Sequence, residues 1–143
     1  MASIQVTDIL IRLIRRCEKM GDWSYEPWGS DEAADWFHKF WKKGGIPVLI
    51  EEIENFDETK ETYDSFRAAT YLLQTLGIVY VWPAEYLNEL KKLIDRAIII
   101  LGKMIDPPDE NWAYLDMGGD REKLIQNVEK QISVLQERRK AII

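Results

Sequence analysis

The chain contains few of the residues from which reactive and metal-binding sites are usually built: one cysteine and one histidine among 143 residues. A single cysteine, Cys17, excludes an intrachain disulfide and suits a reducing compartment. A single histidine, His38, excludes metal sites built from several histidines. The apolar runs beyond the N-terminal segment have at most five residues, as at 97–101, whereas about 20 are needed to span a bilayer. We therefore expect a cytoplasmic protein with no cofactor, no metal ion and no membrane contact.

The chain has 19 basic and 25 acidic residues, which gives a formal net charge of -6. Nucleic acid is therefore not an expected partner, since neutralising phosphates needs a basic face. Segment 51–64 contains seven carboxylates and one lysine, so its net charge of -6 equals that of the whole chain. Such a run is either a solvated helix face or an acidic patch that attracts a basic partner.

Apolar residues recur at three- and four-residue steps, the period of amphipathic helices. Candidate helix caps are Ser30, Asp57 and Asp120, and the helix after Ser30 has an apolar face that includes Trp41. Residues 78–82 are rich in β-formers, but one short strand cannot satisfy its own edges, so we expect a buried connector. The pattern predicts an all-α, single-domain bundle of five to six helices, with an aromatic-rich loop near the N-terminus. We assign residues 1–20 to an N-terminal amphipathic helix extension and residues 21–143 to the helical domain.

Catalytic groups are scarce. A nucleophile–base pair would have to combine Cys17 with His38, yet Cys17 falls on an apolar helix stripe, where cysteine behaves as a small hydrophobe. Carboxylates one helical turn apart, such as Glu51 and Glu54, suit glycosidic chemistry and equally an ordinary acidic helix. The sequence has no glycine-rich phosphate loop. We expect no catalytic residues and a protein that is not an enzyme.

Aromatic residues are concentrated between positions 23 and 41, which hold seven of the chain's 16. Each can bury 150–250 Å² of surface, so the simplest interpretation is a core cluster. The alternative is that the loop tryptophans Trp23 and Trp28 stay partly exposed as anchors in a protein interface, where Trp and Tyr are enriched.

The segment from Gly21 to Trp36, GDWSYEPWGSDEAADW, resembles the opening signature of a bacterial family of small helical domains of unknown function. Members begin Met-Gly-x-Trp-Gly-x-Gly-x-Phe, followed by an acidic residue and Asn-Asp-x-Ala-x-Asp with Trp or Phe after it. The positions that fit are Gly21, Trp23, Asp31, Ala33, Asp35 and Trp36. Trp28 stands where Phe is usual, Ser24 and Glu26 replace glycines, and Ser30 replaces the asparagine. The resemblance extends to about residue 138 and implies an immunity protein, which protects its producing cell from an antibacterial toxin.

Two functions are expected from these features. The first is a protein-binding inhibitor that neutralises a cognate effector toxin by occluding it. The predicted partner-binding residues are Trp23, Tyr25, Trp28, Glu51, Glu52, Glu54, Asp57, Glu58 and Glu61. The alternative is a structural or adaptor domain that forms a homodimer through its N-terminal helix. The apolar stripe of that helix consists of Val6, Ile9, Leu10, Leu13, Ile14 and Cys17.

Overall fold

A computed structural model describes residues 24–142 of the chain. Within that range it contains five α-helices, three short 3₁₀ turns and no β-strand, so the all-α prediction is confirmed. The helices are α1 (Asp31–Lys42), α2 (Ile46–Glu54), α3 (Tyr63–Leu76), α4 (Leu87–Ile105) and α5 (Arg121–Lys140). The predicted N-terminal extension lies outside the described residues. None of the described helices is long and apolar enough to cross a membrane.

Two of the three predicted helix caps are confirmed. The hydroxyl of Ser30 accepts a hydrogen bond from Ala33 N at 3.1 Å and begins α1, and Asp120 accepts from Lys123 N at 3.2 Å and begins α5. Each side chain satisfies one of the backbone donors that a helix leaves unpaired in its first turn.

The third candidate cap, Asp57, does not begin an α-helix, so that prediction is wrong. The Asp57 carboxylate instead caps a single 3₁₀ turn, Glu58–Lys60, by accepting from Thr59 N. The chain then adopts a left-handed conformation at Glu61, with φ of 55°. A left-handed residue cannot continue a right-handed helix, so α3 begins only at Tyr63.

Helix α3 lies at the centre of the bundle and contacts all four other helices. Its fully buried side chains include Tyr63, Phe66 and Leu73, which join one core with Leu93 of α4 and Leu135 of α5. The longest helix pair, α4 and α5, closes the other side of the bundle. Helices α1 and α2 contact each other as well as α3, and the six acidic residues predicted to bind a partner lie on α2 or in the segment 57–61 that follows it.

Two burial predictions are wrong. Segment 78–82 is not a buried connector: Val81 N and Trp82 N both donate to Ile78 O at 2.8 Å, which forms a tight turn. Trp82 is buried, whereas Tyr80 at the tip is 98% exposed. Trp41, assigned from its spacing to the apolar face of α1, is 71% exposed. Its ring packs edge-on against Phe40 at 5.0 Å, at the margin of the core.

Candidate protein-interaction surface

Helix α1 carries different chemistry on its two flanks. Its centre is buried through Trp36 and Phe40. One flank, which includes Glu32 and Lys39, faces the carboxylates of α2. The other flank, which includes Phe37, faces α3. Residues three and four apart share a helix face, so the sequence of α1 itself separates an acidic side from an aromatic side.

An acidic cluster lies where α1, α2 and the start of α3 meet. Burial raises the pKa of the Glu52 carboxyl, and the charges of Glu32 and Glu51 raise it further. Burial also raises the pKa of Glu32, with an added contribution from Asp64. The nearby ammonium of Lys39 acts against these effects at Glu52. We call Glu32, Glu51, Glu52 and Asp64 the acidic cluster; its carboxylates are close enough to disfavour one another's charge.

Glu32 also has a structural function in this cluster. Its Oε2 accepts a hydrogen bond from Ser65 N at 2.8 Å, in the first turn of α3, where Thr62 provides no side-chain cap. A carboxylate is favourable at that position because the N-terminus of a helix is its positive end. The acidic side chain of one helix thus caps another, and this fixes α1 against α3.

Helix α2 carries its charges at the unfavourable end. Its last turn contains Glu51, Glu52 and Glu54 and no basic residue, although carboxylates are destabilising at the negative end of the helix dipole. Arg96 of α4 compensates by donating from Nε to Ile53 O at 2.7 Å and from Nη2 to Glu54 O at 3.1 Å. These bonds cap the backbone and leave the carboxylates of Glu51 and Glu54 exposed. The local fold therefore gives no reason for the acidic residues Glu51 and Glu54, whereas Glu52 faces the Lys39 ammonium and the Trp36 indole.

The remaining acidic residues predicted to bind a partner follow α2 along the chain. Asp57 accepts from Thr59 N and Oγ1 at 2.9 and 2.7 Å, which lowers the pKa of its carboxyl. The backbone carbonyl of Glu58 accepts from the Tyr63 hydroxyl at 2.7 Å. The side chains of Asp57, Glu58 and Glu61 all contribute negative charge near that hydroxyl, whose pKa is raised mainly by burial. The acidic surface therefore continues from α2 through the 3₁₀ turn.

Replacing Glu52 with glutamine is expected to weaken the pH dependence of stability. A carboxyl with a raised pKa binds more protons in the folded chain than in the unfolded chain, so its charge lowers the free energy of unfolding as pH rises from about 4.5. The loss of stability is complete above the pKa that Glu52 has in the folded chain, and it is absent below the ordinary pKa of a glutamate. Glutamine removes the charge and keeps an oxygen acceptor for the buried Trp36 indole N–H, which faces Glu52 outside regular hydrogen-bond geometry.

Urea unfolding at about pH 5 and about pH 7.5 tests this prediction. The gain in stability of Glu52→Gln over the unmodified chain should be larger at the higher pH. Glu54→Gln, on the same helix but exposed, provides the control for removing one charge. An equal gain at both pH values would contradict the buried-carboxylate interpretation.

An aromatic strip runs along the other flank of α1. The ring of Trp28 packs edge-on against Tyr71 at 5.0 Å, and Tyr71 packs against Phe37 at 6.5 Å. Trp41 lies one turn after Phe37 on the same side of α1. We call Trp28, Tyr71, Phe37 and Trp41 the aromatic strip. Both ends are accessible, since Trp28 is 44% and Trp41 71% exposed.

The structure gives different positions to the three aromatic residues predicted as anchors. Trp28 is partly exposed, as the alternative of loop tryptophans that anchor a protein interface requires. Tyr25 is half-buried and holds the loop in place: its hydroxyl accepts from Asp120 N at 2.7 Å, and its carbonyl accepts from Arg67 Nη1 at 2.7 Å. Trp23 lies outside the described residues. Phe37, Tyr71 and Trp41 complete the strip and were not predicted to bind a partner.

A buried arginine that sequence reasoning missed supports this surface. Arg67 is 3% exposed and binds Tyr25 O, Tyr114 Oη at 3.2 Å, Gln131 Oε1 at 2.8 Å and Asn127 Oδ1. It thereby ties the loop before α1 to α3 and α5. A signal was present, because Arg67 follows Tyr63 by four residues and so falls on the apolar face of α3.

A cleft of about 530 Å³ opens beside this arginine. Its walls are the loop at residues 24–30 and the turn at residues 117–119, with Arg67 and Tyr114 between them. Tyr25 is the only predicted partner-binding residue among the described residues that line it. The cleft therefore adjoins the acidic cluster at Asp64, which is one of its lining residues, and it shares no residue with the aromatic strip.

Neither metal-binding geometry in the described residues nor comparison with known proteins indicates a function for this surface. Across residues 24–142, no three His, Cys, Asp or Glu side chains are arranged to hold a metal ion. Comparison of the chain with protein-family models, with curated proteins and with solved structures finds no match. The function must therefore be inferred from the chemistry of the surface itself.

Proposed function

We propose that the protein is a cytoplasmic, protein-binding inhibitor of immunity type, which neutralises a toxin by covering its active site. The main support is the placement of Glu51, Glu52 and Glu54 in the last turn of α2, where the helix dipole acts against all three carboxylates and burial acts against that of Glu52. Residues that break a local rule without a local benefit are expected at functional sites. Glu61, in the same acidic run, has a left-handed backbone. This conformation is unfavourable for glutamate and is therefore a further departure from local preference.

The expected partner is a protein with a basic surface. Negative potential from the acidic cluster would raise its association rate and disfavour acidic competitors. Toxins that act on nucleic acid have such basic surfaces, because they must neutralise phosphates. An acidic protein that binds this surface blocks the substrate without any chemical step of its own.

The aromatic strip would supply affinity after the charges have directed the encounter. Tryptophan and tyrosine are enriched among interface residues with large energetic contributions. Trp28 and Trp41 are exposed at the two ends of the strip. Trp28 is held by its ring contact with Tyr71, and Trp41 by its ring contact with the buried Phe40. The resemblance of residues 21–138 to small immunity-like domains agrees with this assignment.

Alanine substitution of Trp28 or Trp41 is expected to raise the Kd of the complex about thirtyfold, or about 2 kcal/mol, because truncation leaves an anchor pocket on the partner unfilled. The partner is first recovered from the native host at low salt with the tagged full-length chain. Its affinity for each variant is then measured by calorimetry. Ile99→Ala is the matched control, since Ile99 is an exposed apolar residue on α4.

The proposal also predicts how the recovered partner behaves in cells. The recovered protein should arrest growth when it is expressed alone and become harmless when it is co-expressed with this chain. Recovery of no stoichiometric partner at low salt would count against an inhibitor. Equal losses of affinity for Trp28→Ala and Ile99→Ala would instead contradict the assignment of the strip.

A further inference from the structure

Exposed apolar side chains are concentrated at the turn between α3 and α4. Of eight large apolar residues exposed among residues 24–142, four lie here: Val79, Tyr80, Val81 and Leu87. Three of them, Val79, Tyr80 and Leu87, border a groove of about 490 Å³ that is also lined by Ala141 and Ile142, beyond the end of α5. Clustered apolar surface of this kind marks a site of interaction.

The local fold fixes this exposure. Trp82 is buried, and its indole Nε1 donates to Tyr86 O at 2.9 Å. Together with the bonds from Val81 N and Trp82 N to Ile78 O, this anchors both ends of the turn. Side chains 79–81 are thus held outward, on a face that the rest of the described chain does not cover.

The chain contains a segment with the matching pattern. Residues 1–23 lie outside the described residues, and their apolar stripe is made of Val6, Ile9, Leu10, Leu13, Ile14 and Cys17. In a helix these side chains share one face. The basic residues Arg12, Arg15 and Lys19 fall on the other side, where they can remain in water.

The segment is long enough to reach the groove. Ser24, where the described chain begins, lines the cleft beside Arg67. Along α5, Leu124 lines the cleft and Ala141 the groove, and the 17 helical steps between them cover about 26 Å. The six residues 18–23 span about 20 Å when extended, and a helix over residues 4–17 adds about 20 Å. The stripe is therefore long enough to meet Val79 and Leu87.

We propose that residues 4–17 form an amphipathic helix that packs its apolar stripe into this groove of the same chain. A short tether gives the stripe an effective concentration in the millimolar range. A second copy of the protein at micromolar concentration is far more dilute, so its stripe does not displace the tethered one. The segment is thus a sixth helix of the bundle, and the contact does not use the aromatic strip or the acidic cluster.

The single cysteine of the full-length chain provides the test, because Cys17 lies on the stripe. Its labelling by a thiol reagent in the folded protein is expected to be slow. The double variant Val79→Asp/Leu87→Asp should increase the rate about tenfold or more, since packed segments react only after local opening. Both positions are partly exposed already, so circular dichroism should show that the described helices stay folded, with at most the loss of the helix over residues 4–17.

Ile99→Asp, at an exposed apolar position elsewhere on α4, should leave the labelling rate unchanged. Labelling as fast in the unmodified chain as in unfolded protein would overturn the proposal. So would protection that survives the double variant, because the stripe would then pack elsewhere. Protection that grows with protein concentration, together with a dimer in light scattering, would identify a second copy as the occupant and also overturn it.

Discussion

Replacing Arg67 with methionine is expected to lower the free energy of unfolding by about 3–5 kcal/mol. Methionine can occupy the space of the aliphatic stem, but it donates no hydrogen bonds. The carbonyl of Tyr25 and the side chains of Asn127 and Gln131 would lose their guanidinium partner. Since these groups are wholly or partly buried, water does not readily replace that partner. Urea unfolding followed by circular dichroism measures the loss.

Arg121→Met provides the control for this variant, because Arg121 is exposed in the first turn of α5. Its free energy of unfolding should change by no more than about 0.5 kcal/mol. If Arg67→Met does not fold, Asn127→Ala removes one acceptor of the guanidinium together with the donor to Glu26 Oε1, with an expected loss of about 1–3 kcal/mol. A loss for Arg67→Met below about 1 kcal/mol would show that the buried network contributes little to stability.

Reversing two exposed charges, as Glu51→Lys/Glu54→Lys, is expected to slow association with the recovered partner about 10- to 100-fold at low salt. The change removes negative potential from the surface that would direct a basic partner. Stability should rise slightly, by a few tenths of a kcal/mol, because lysine is favourable at the C-terminal end of a helix. Surface plasmon resonance across a salt series measures the association rate, and the difference should shrink as salt increases.

A double variant with the same change in net charge, Glu85→Lys/Glu129→Lys, separates local from overall electrostatics. Both residues are exposed and lie outside α2 and the 3₁₀ turn that follows it. Association should slow much less than with the α2 pair. Equal slowing by the two double variants would show that net charge matters and that the acidic surface around α2 has no special function.

Local signals predicted most of the secondary structure. Ser30 and Asp120 begin their helices because an oxygen three residues before a backbone N–H caps it without help from the rest of the fold. Asp57 has the same side-chain chemistry, but it caps a 3₁₀ turn. The difference arises at Glu61, whose left-handed backbone separates that turn from α3.

The sequence by itself determined the helical class, the two helix caps and the acidic run, because each depends on residues within one or two turns of one another. Only the tertiary structure decided which side chains face solvent and which polar groups meet. Arg67 is bound by positions 25, 114, 127 and 131, and the aromatic strip joins rings from the loop before α1, from α1 and from α3. Such contacts join residues distant in sequence, and their energy depends on burial that no local pattern specifies.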